Sequence, residues 1–157
     1  MGFWWNWSGS GTFVSECCRW DFIIVADQDV DSKHPQKELW SSWLKRATLV
    51  RHRNSTFSIE WGHLVELTTQ RAVKGRSMEL SALEFFGDTL LAFCDRSGFV
   101  FEVHMTTSTV TVRDQLLQEG GKPFKSEWAA MKDGDLYVGS FGKEWTSDEA
   151  SLCLLRV

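Results

Sequence analysis

The sequence of 157 residues has no uninterrupted apolar run of about 18 residues, so no transmembrane helix is expected. It also lacks a basic excess. Seventeen Lys and Arg stand against twenty-one Asp and Glu, for a net charge of −4. A dedicated nucleic-acid binder needs a basic face to meet phosphates, so that class is excluded. Four cysteines are too few and too scattered for a disulfide scaffold. No Cys-x-x-Cys pair suggests zinc, and His34, His52, His63 and His104 show no ligand spacing. A Walker-type loop is absent, and so is a Gly-x-Ser-x-Gly elbow. Proline occurs only twice. What is present is a 43% hydrophobic composition with nine tryptophans. Such a chain can bury a real core and is not a disordered tail.

The first residues stand apart. Trp4, Trp5, Trp7 and Trp20 lie among Gly and Ser, with Cys17 and Cys18 adjacent. Met1 to Trp20 has no clear basic n-region, apolar run or small-residue cleavage site. Residues 1–20 are therefore read as an irregular N-terminal extension, and residues 21–157 as the folded part. Two sequons, Asn6-Trp7-Ser8 and Asn54-Ser55-Thr56, permit a secretory context without establishing it.

Beyond this segment the dominant hydrophobic period is two. Phe22 to Ala26 is a short apolar run that ends in Asp27 and Asp29. Phe57, Ile59 and Trp61 alternate with Ser58 and Glu60, and Leu49 to Arg53 can pair with them through a turn at Asn54-Ser55. Leu83 to Phe86, a Gly87-Asp88 turn and Leu90 to Phe93 make a second hairpin. Phe99 to Val103 and Thr109 to Val112 follow. Trp128 to Lys132, Asp133-Gly134 and Leu136 to Val138 repeat the hairpin pattern. One short helix is predicted over Lys37 to Lys45, where Leu39, Trp40, Trp43 and Leu44 share a helical face. Gln115 to Gln118 is a second, weaker helical turn. Many short strands with turn signals argue for an all-β barrel, sandwich or propeller.

A weak internal repeat narrows this. Glu79-Leu80-Ser81-Ala82-Leu83 and Ser126-Glu127-Trp128-Ala129-Ala130 each precede a hairpin. Their offset of roughly 46 to 47 residues is close to a propeller blade period. Inner blade strands line a central channel, so acids and serines at their starts would converge there. Convergent oxygens are what a hard cation such as Ca²⁺ needs. Asp27, Asp29, Glu79, Asp95 and Glu127 all sit at strand ends. Single acids there are ordinary solvated turn residues, but the set could hold a metal or activate water. Lys74-Gly75-Arg76 and Gly142-Lys143-Glu144-Trp145 place cations beside glycines, which suits phosphate contact.

Several strings then match a known family. They are Val25-Ala26-Asp27-Gln28-Asp29, Trp40-Ser41-Ser42-Trp43-Leu44 and Lys74-Gly75-Arg76-Ser77-Met78-Glu79-Leu80-Ser81. Asp95-Arg96-Ser97-Gly98, Phe124-Lys125-Ser126-Glu127-Trp128, Leu136-Tyr137-Val138-Gly139 and Gly142-Lys143-Glu144-Trp145 continue the order. From about Phe22 to Trp145 the chain resembles the calcium-activated nucleotidases, or apyrases. The resemblance implies an all-β chain forming two to three blades of a five-bladed β-propeller with Ca²⁺ in its channel. It implies hydrolysis of nucleoside di- and triphosphates, such as UDP and GDP, with release of phosphate. It also implies a secretory or extracellular setting.

By motif, Asp27 and Asp95 correspond to the catalytic acids that position or activate water. Ser81 and Glu127 correspond to calcium ligands. Asp29, Arg76, Glu79, Lys143 and Glu144 correspond to substrate-pocket residues, with Arg76 and Lys143 as phosphate contacts. Two positions depart from the family pattern. Cys94 replaces the first of two adjacent acids, and Ser77 replaces a usual glycine, which is expected to stiffen or shift its loop. The family fold needs about twice this length, so an incomplete propeller with open, self-associating blade edges is expected. The alternative is a non-catalytic propeller fragment that binds nucleotide or protein.

Overall fold

The computed structural model describes residues 18–140 and 154–156. Among the described residues, ten strands form three antiparallel sheets. The first sheet holds β1 (Cys18–Val25), β2 (Trp40–Arg51) and β3 (Phe57–Thr69), in that order. The second holds β4 (Leu80–Phe86), β5 (Thr89–Cys94), β6 (Phe99–His104) and β7 (Thr109–Gln115). In the third, β9 (Asp135–Gly139) lies between β8 (Trp128–Lys132) and β10 (Leu154–Arg156). Cys18 to Trp20 belong to β1.

The predicted hairpins form. Arg51 pairs with Phe57 across the Asn54-Ser55 turn, and Phe86 with Thr89 across Gly87-Asp88. Lys132 pairs with Asp135, and both intervening residues take left-handed backbone: Asp133 at φ 53° and Gly134 at φ 87°. That is the two-residue loop whose twist suits a hairpin.

The predicted helix over Lys37 to Lys45 does not form; Trp40 to Lys45 begin β2. Their burial alternates with period two. Trp40, Ser42 and Leu44 are buried, while Ser41, Trp43 and Lys45 are half-buried. Buried Ser42 disguised this alternation, because serine reads as a polar face. Its hydroxyl donates to the Ala26 carbonyl at 2.6 Å, which meets its hydrogen-bonding need inside the core. The turn expected at Gln115 to Gln118 falls slightly later, as a 3₁₀ turn at Glu119–Gly121, while Gln115 ends β7.

The middle sheet is covered on both faces. Leu90, Ala92 and Cys94 of β5 join a core with Val25, Trp40, Leu44 and Leu67 of the first sheet. Leu91 and Phe93 face the other way and join Leu136 and Val138 of the third. Two-sided burial explains why Leu90 to Cys94 is continuously apolar rather than alternating. Each fully buried Leu or Phe contributes on the order of 1.5–3 kcal/mol. The sheets adjoin through β1 and β4, through β4 and β8, and through β3 and β7. Strands β1, β4 and β8 therefore run beside one another, and the acids lie at their ends.

Candidate active site

The site begins just past β1. Ala26 is fixed by Ser42, and the next residue, Asp27, accepts the Asp29 amide on Oδ1 at 3.0 Å. This bends the chain into a 3₁₀ turn, Asp29–Ser32, with Asp29 at φ 48°. Ser32 Oγ donates to the Ser77 carbonyl at 2.8 Å, which ties the turn to the loop ahead of β4. In that loop Val73 and Arg76 exchange two backbone hydrogen bonds of 3.0 Å around Lys74 and Gly75. Both central residues have positive φ, so Gly75 serves the turn geometry here. Its carbonyl accepts Trp40 Nε1–H at 3.1 Å.

These tethers bring four of the predicted residues together. One carboxylate oxygen from each of Asp27, Asp29 and Glu79 lies within 4.8 Å of the others. Arg76 clamps Glu79 with both prongs, Nε to Oε1 at 2.5 Å and Nη2 to Oε2. Its Nη2 lies 4.0 Å from Asp29. Glu79 is fully buried. Burial raises its pKa above the usual carboxylate range, outweighing the opposing pull of Arg76. Arg76 is held more firmly protonated by the hydrogen bonds to Glu79.

The other acids are bridged. The Asp95 amide donates to the Glu79 carbonyl at 3.0 Å, which places Asp95 across from Glu79 at the open end of the β4–β5 hairpin. Lys125 Nζ donates to Asp95 Oδ2 at 2.8 Å and to Glu127 Oε1. Burial raises the Asp95 pKa against the Lys125 hydrogen bond, and the charges of Asp27 and Glu127 raise it further. Burial alone would lower the Lys125 pKa, but its bonds to Asp95 and Glu127 hold it above the ordinary value.

The oxygens left over are informative. Asp95 Oδ1, Ser81 Oγ and Ser126 Oγ are buried without a hydrogen-bond partner among the described residues. Buried polar atoms are normally satisfied. Carboxylate and hydroxyl oxygens are the chemistry that suits Ca²⁺. Among the described residues, five acids gather here with Arg76, Arg96 and Lys125, a formal excess of two negative charges. A divalent cation would offset that excess, and the cluster of Asp27, Asp29 and Glu79 could hold one.

Sequence reasoning missed Lys125 and Arg96. Lys125 precedes Glu127 by two residues, a spacing that puts both side chains on one side of an extended segment. Arg96 Nε lies 4.0 Å from Glu79 Oε2. The neighbouring Asp95-Arg96 dipeptide was its only signal. Lys143 and Glu144 lie outside the described residues. Of the two departures, Cys94 is accommodated in the core, while Ser77 leaves its hydroxyl buried without a partner among the described residues. Cys94 is fully buried and packs in the core, where burial pushes its thiol pKa up. Ser77 is buried, and its backbone is not left-handed, so no glycine is required there.

Three sheets thus contribute charged groups to one cluster of carboxylates, guanidinium groups and an ammonium. The apyrase family model matches residues 28–153, and the chain belongs to that family. It is 38% identical over 136 residues to soluble calcium-activated nucleotidase 1 of Mus musculus, covering 82% of this chain and 33% of that protein. It is 33% identical to an apyrase of Cimex lectularius, with 85% of this chain and 38% of that protein covered. Apyrase apy-1 of Caenorhabditis elegans is 32% identical, at 83% and 38% coverage. The chain spans roughly a third of the length of these relatives.

Proposed function

We propose that this chain is part of a calcium-dependent nucleotidase that hydrolyses nucleoside di- and triphosphates, with UDP- and GDP-type substrates. The observation that carries the reading is the partnerless Asp95 Oδ1, buried among four other carboxylates and three cations. A buried carboxylate with raised pKa and a free oxygen suits a general base. Asp95, aided by Asp27, orients a water and takes its proton as the water oxygen bonds to the terminal phosphorus. The anhydride P–O bond breaks, and inorganic phosphate leaves. Arg76 lies half-exposed beside Asp29 and supports contact with phosphate oxygens; Lys143 and Glu144 are proposed to join it. Calcium, when bound through Ser81 and Glu127, supplies charge neutralisation for the phosphate chain.

The adjoining β1, β4 and β8 support a two-to-three-blade part of a five-bladed propeller. A secretory or extracellular setting is part of the same proposal. So is self-association of this chain, because the edge of β3 has no strand beyond it among the described residues.

The test is phosphate release from UDP by the full-length protein, with calcium and with a chelator. Asp95→Asn is expected to lower calcium-dependent turnover by about 10²-fold or more, as loss of a general base does. Unchanged turnover in a folded Asp95→Asn variant would instead favour a non-catalytic role for this acid.

A further inference from the structure

Lys125 is a charged group of the site that joins two sheets directly. It leads into β8 and reaches Asp95 at the end of β5, thirty positions back, while also holding Glu127. Its side chain is only 25% exposed, as is that of Glu127, and Asp95 is 9% exposed. An ammonium is a compact point charge that seeks the same carboxylate lone pairs as a hard metal ion. Here it takes Asp95 Oδ2 and Glu127 Oε1. Asp95 Oδ1, Ser81 Oγ and Ser126 Oγ are left buried and partnerless. Lys125 therefore occupies one oxygen of each of these two carboxylates and leaves Asp95 Oδ1 open to a cation.

We propose that Lys125 is a built-in competitor for the metal: its ammonium neutralises Asp95 and Glu127 in the ion-free protein and must yield Glu127 before the cation binds. This inference rests on the calcium-site reading above. Lys125 is then a positioning residue. It keeps two buried carboxylates paired when no ion is present, and it sets how much calcium is needed to displace it. Its removal should tighten calcium binding while leaving the ion-free protein less stable, because the two acids lose their counter-charge.

The experiment is calorimetric titration of chelator-treated full-length protein with Ca²⁺, for the wild type, Lys125→Met and Lys125→Arg. Lys125→Met is expected to bind about tenfold tighter, and Lys125→Arg to stay near the wild type because a cation is retained. Melting temperatures with and without Ca²⁺ supply a readout independent of activity. The calcium-induced rise should be larger in Lys125→Met, or in the milder Lys125→Gln should Met prevent ion-free folding. Binding by the wild type with no tightening in the neutral variants would overturn the competitor role and leave the calcium reading standing. Absence of calcium binding in every variant would overturn both. Binding only in the neutral variants would support the competitor role in its strongest form.

Discussion

Arg76 and Glu79 show how one pair can serve both folding and chemistry. Glu79 has no exposed surface, so its charge depends on the guanidinium clamped to it. Removing one partner of a buried pair typically costs about 3–5 kcal/mol, because the other charge is stranded. Arg76→Ala is therefore expected to destabilise the fold by about that amount at pH 8. The sign with pH follows from Glu79, whose folded pKa is already raised by burial. Without Arg76 it rises further, and an acid with a raised folded pKa loses stability as pH increases through that value. The penalty should shrink towards pH 4, where Glu79 is protonated. Urea unfolding at the two pH values checks this, and an equal penalty at both would contradict it. At this scale the sequence was readable where a motif named the residue. Asp27, Asp29, Arg76 and Glu79 do meet. Lys125 was not recognised, although it stood inside a quoted motif. A lysine two residues from a glutamate is an ordinary surface pairing unless a distant acid, here Asp95, is known to face it.

Among the elements, hairpins were readable and β2 was not. Turn residues such as Asp133-Gly134 announce their geometry locally, through left-handed backbone. The start of β2 depends instead on a buried serine whose partner, Ala26, lies sixteen positions away. No local pattern carries that. Strand β3 shows the opposite case, because its alternation was evident yet its apolar face is not buried. Phe57, Ile59, Trp61 and Leu64 are 43% to 58% exposed. The register places Trp61 opposite Ala47 and Leu64 opposite Lys45 on one face of the first sheet. A long edge strand with such a face is prone to pair with another copy. Light scattering of this chain is expected to show mass increasing with concentration. Ile59→Lys with Trp61→Lys should return it towards the monomer, since charged side chains oppose edge pairing. A concentration-independent monomer in the unaltered chain would sink the idea.

For the molecule as a whole, the all-β class followed from period-two patterning and closely spaced turns. Which sheets adjoin did not, because sheet packing is set by faces that meet only after folding. The proposed secretory setting is also a whole-molecule matter. Asn54 lies exposed in the β2–β3 turn, within a sequon, where a glycan would meet no core. Protein from its native source is expected to lose a glycan-sized mass on enzymatic deglycosylation. An unmodified Asn54 would count against that setting.

The spread of acids over three sheets has a further consequence for the chain's entropy. Ser81 and Glu127, the proposed calcium ligands, are about 46 residues apart in sequence, and loop-closure cost grows with the logarithm of that separation. An ion held jointly by such distant segments acts as a reversible cross-link, present only in the folded state. Its tie would resemble a disulfide around a long loop more than a local staple. Chelation would then loosen the association of the sheets before it disturbed the pairing within any one of them.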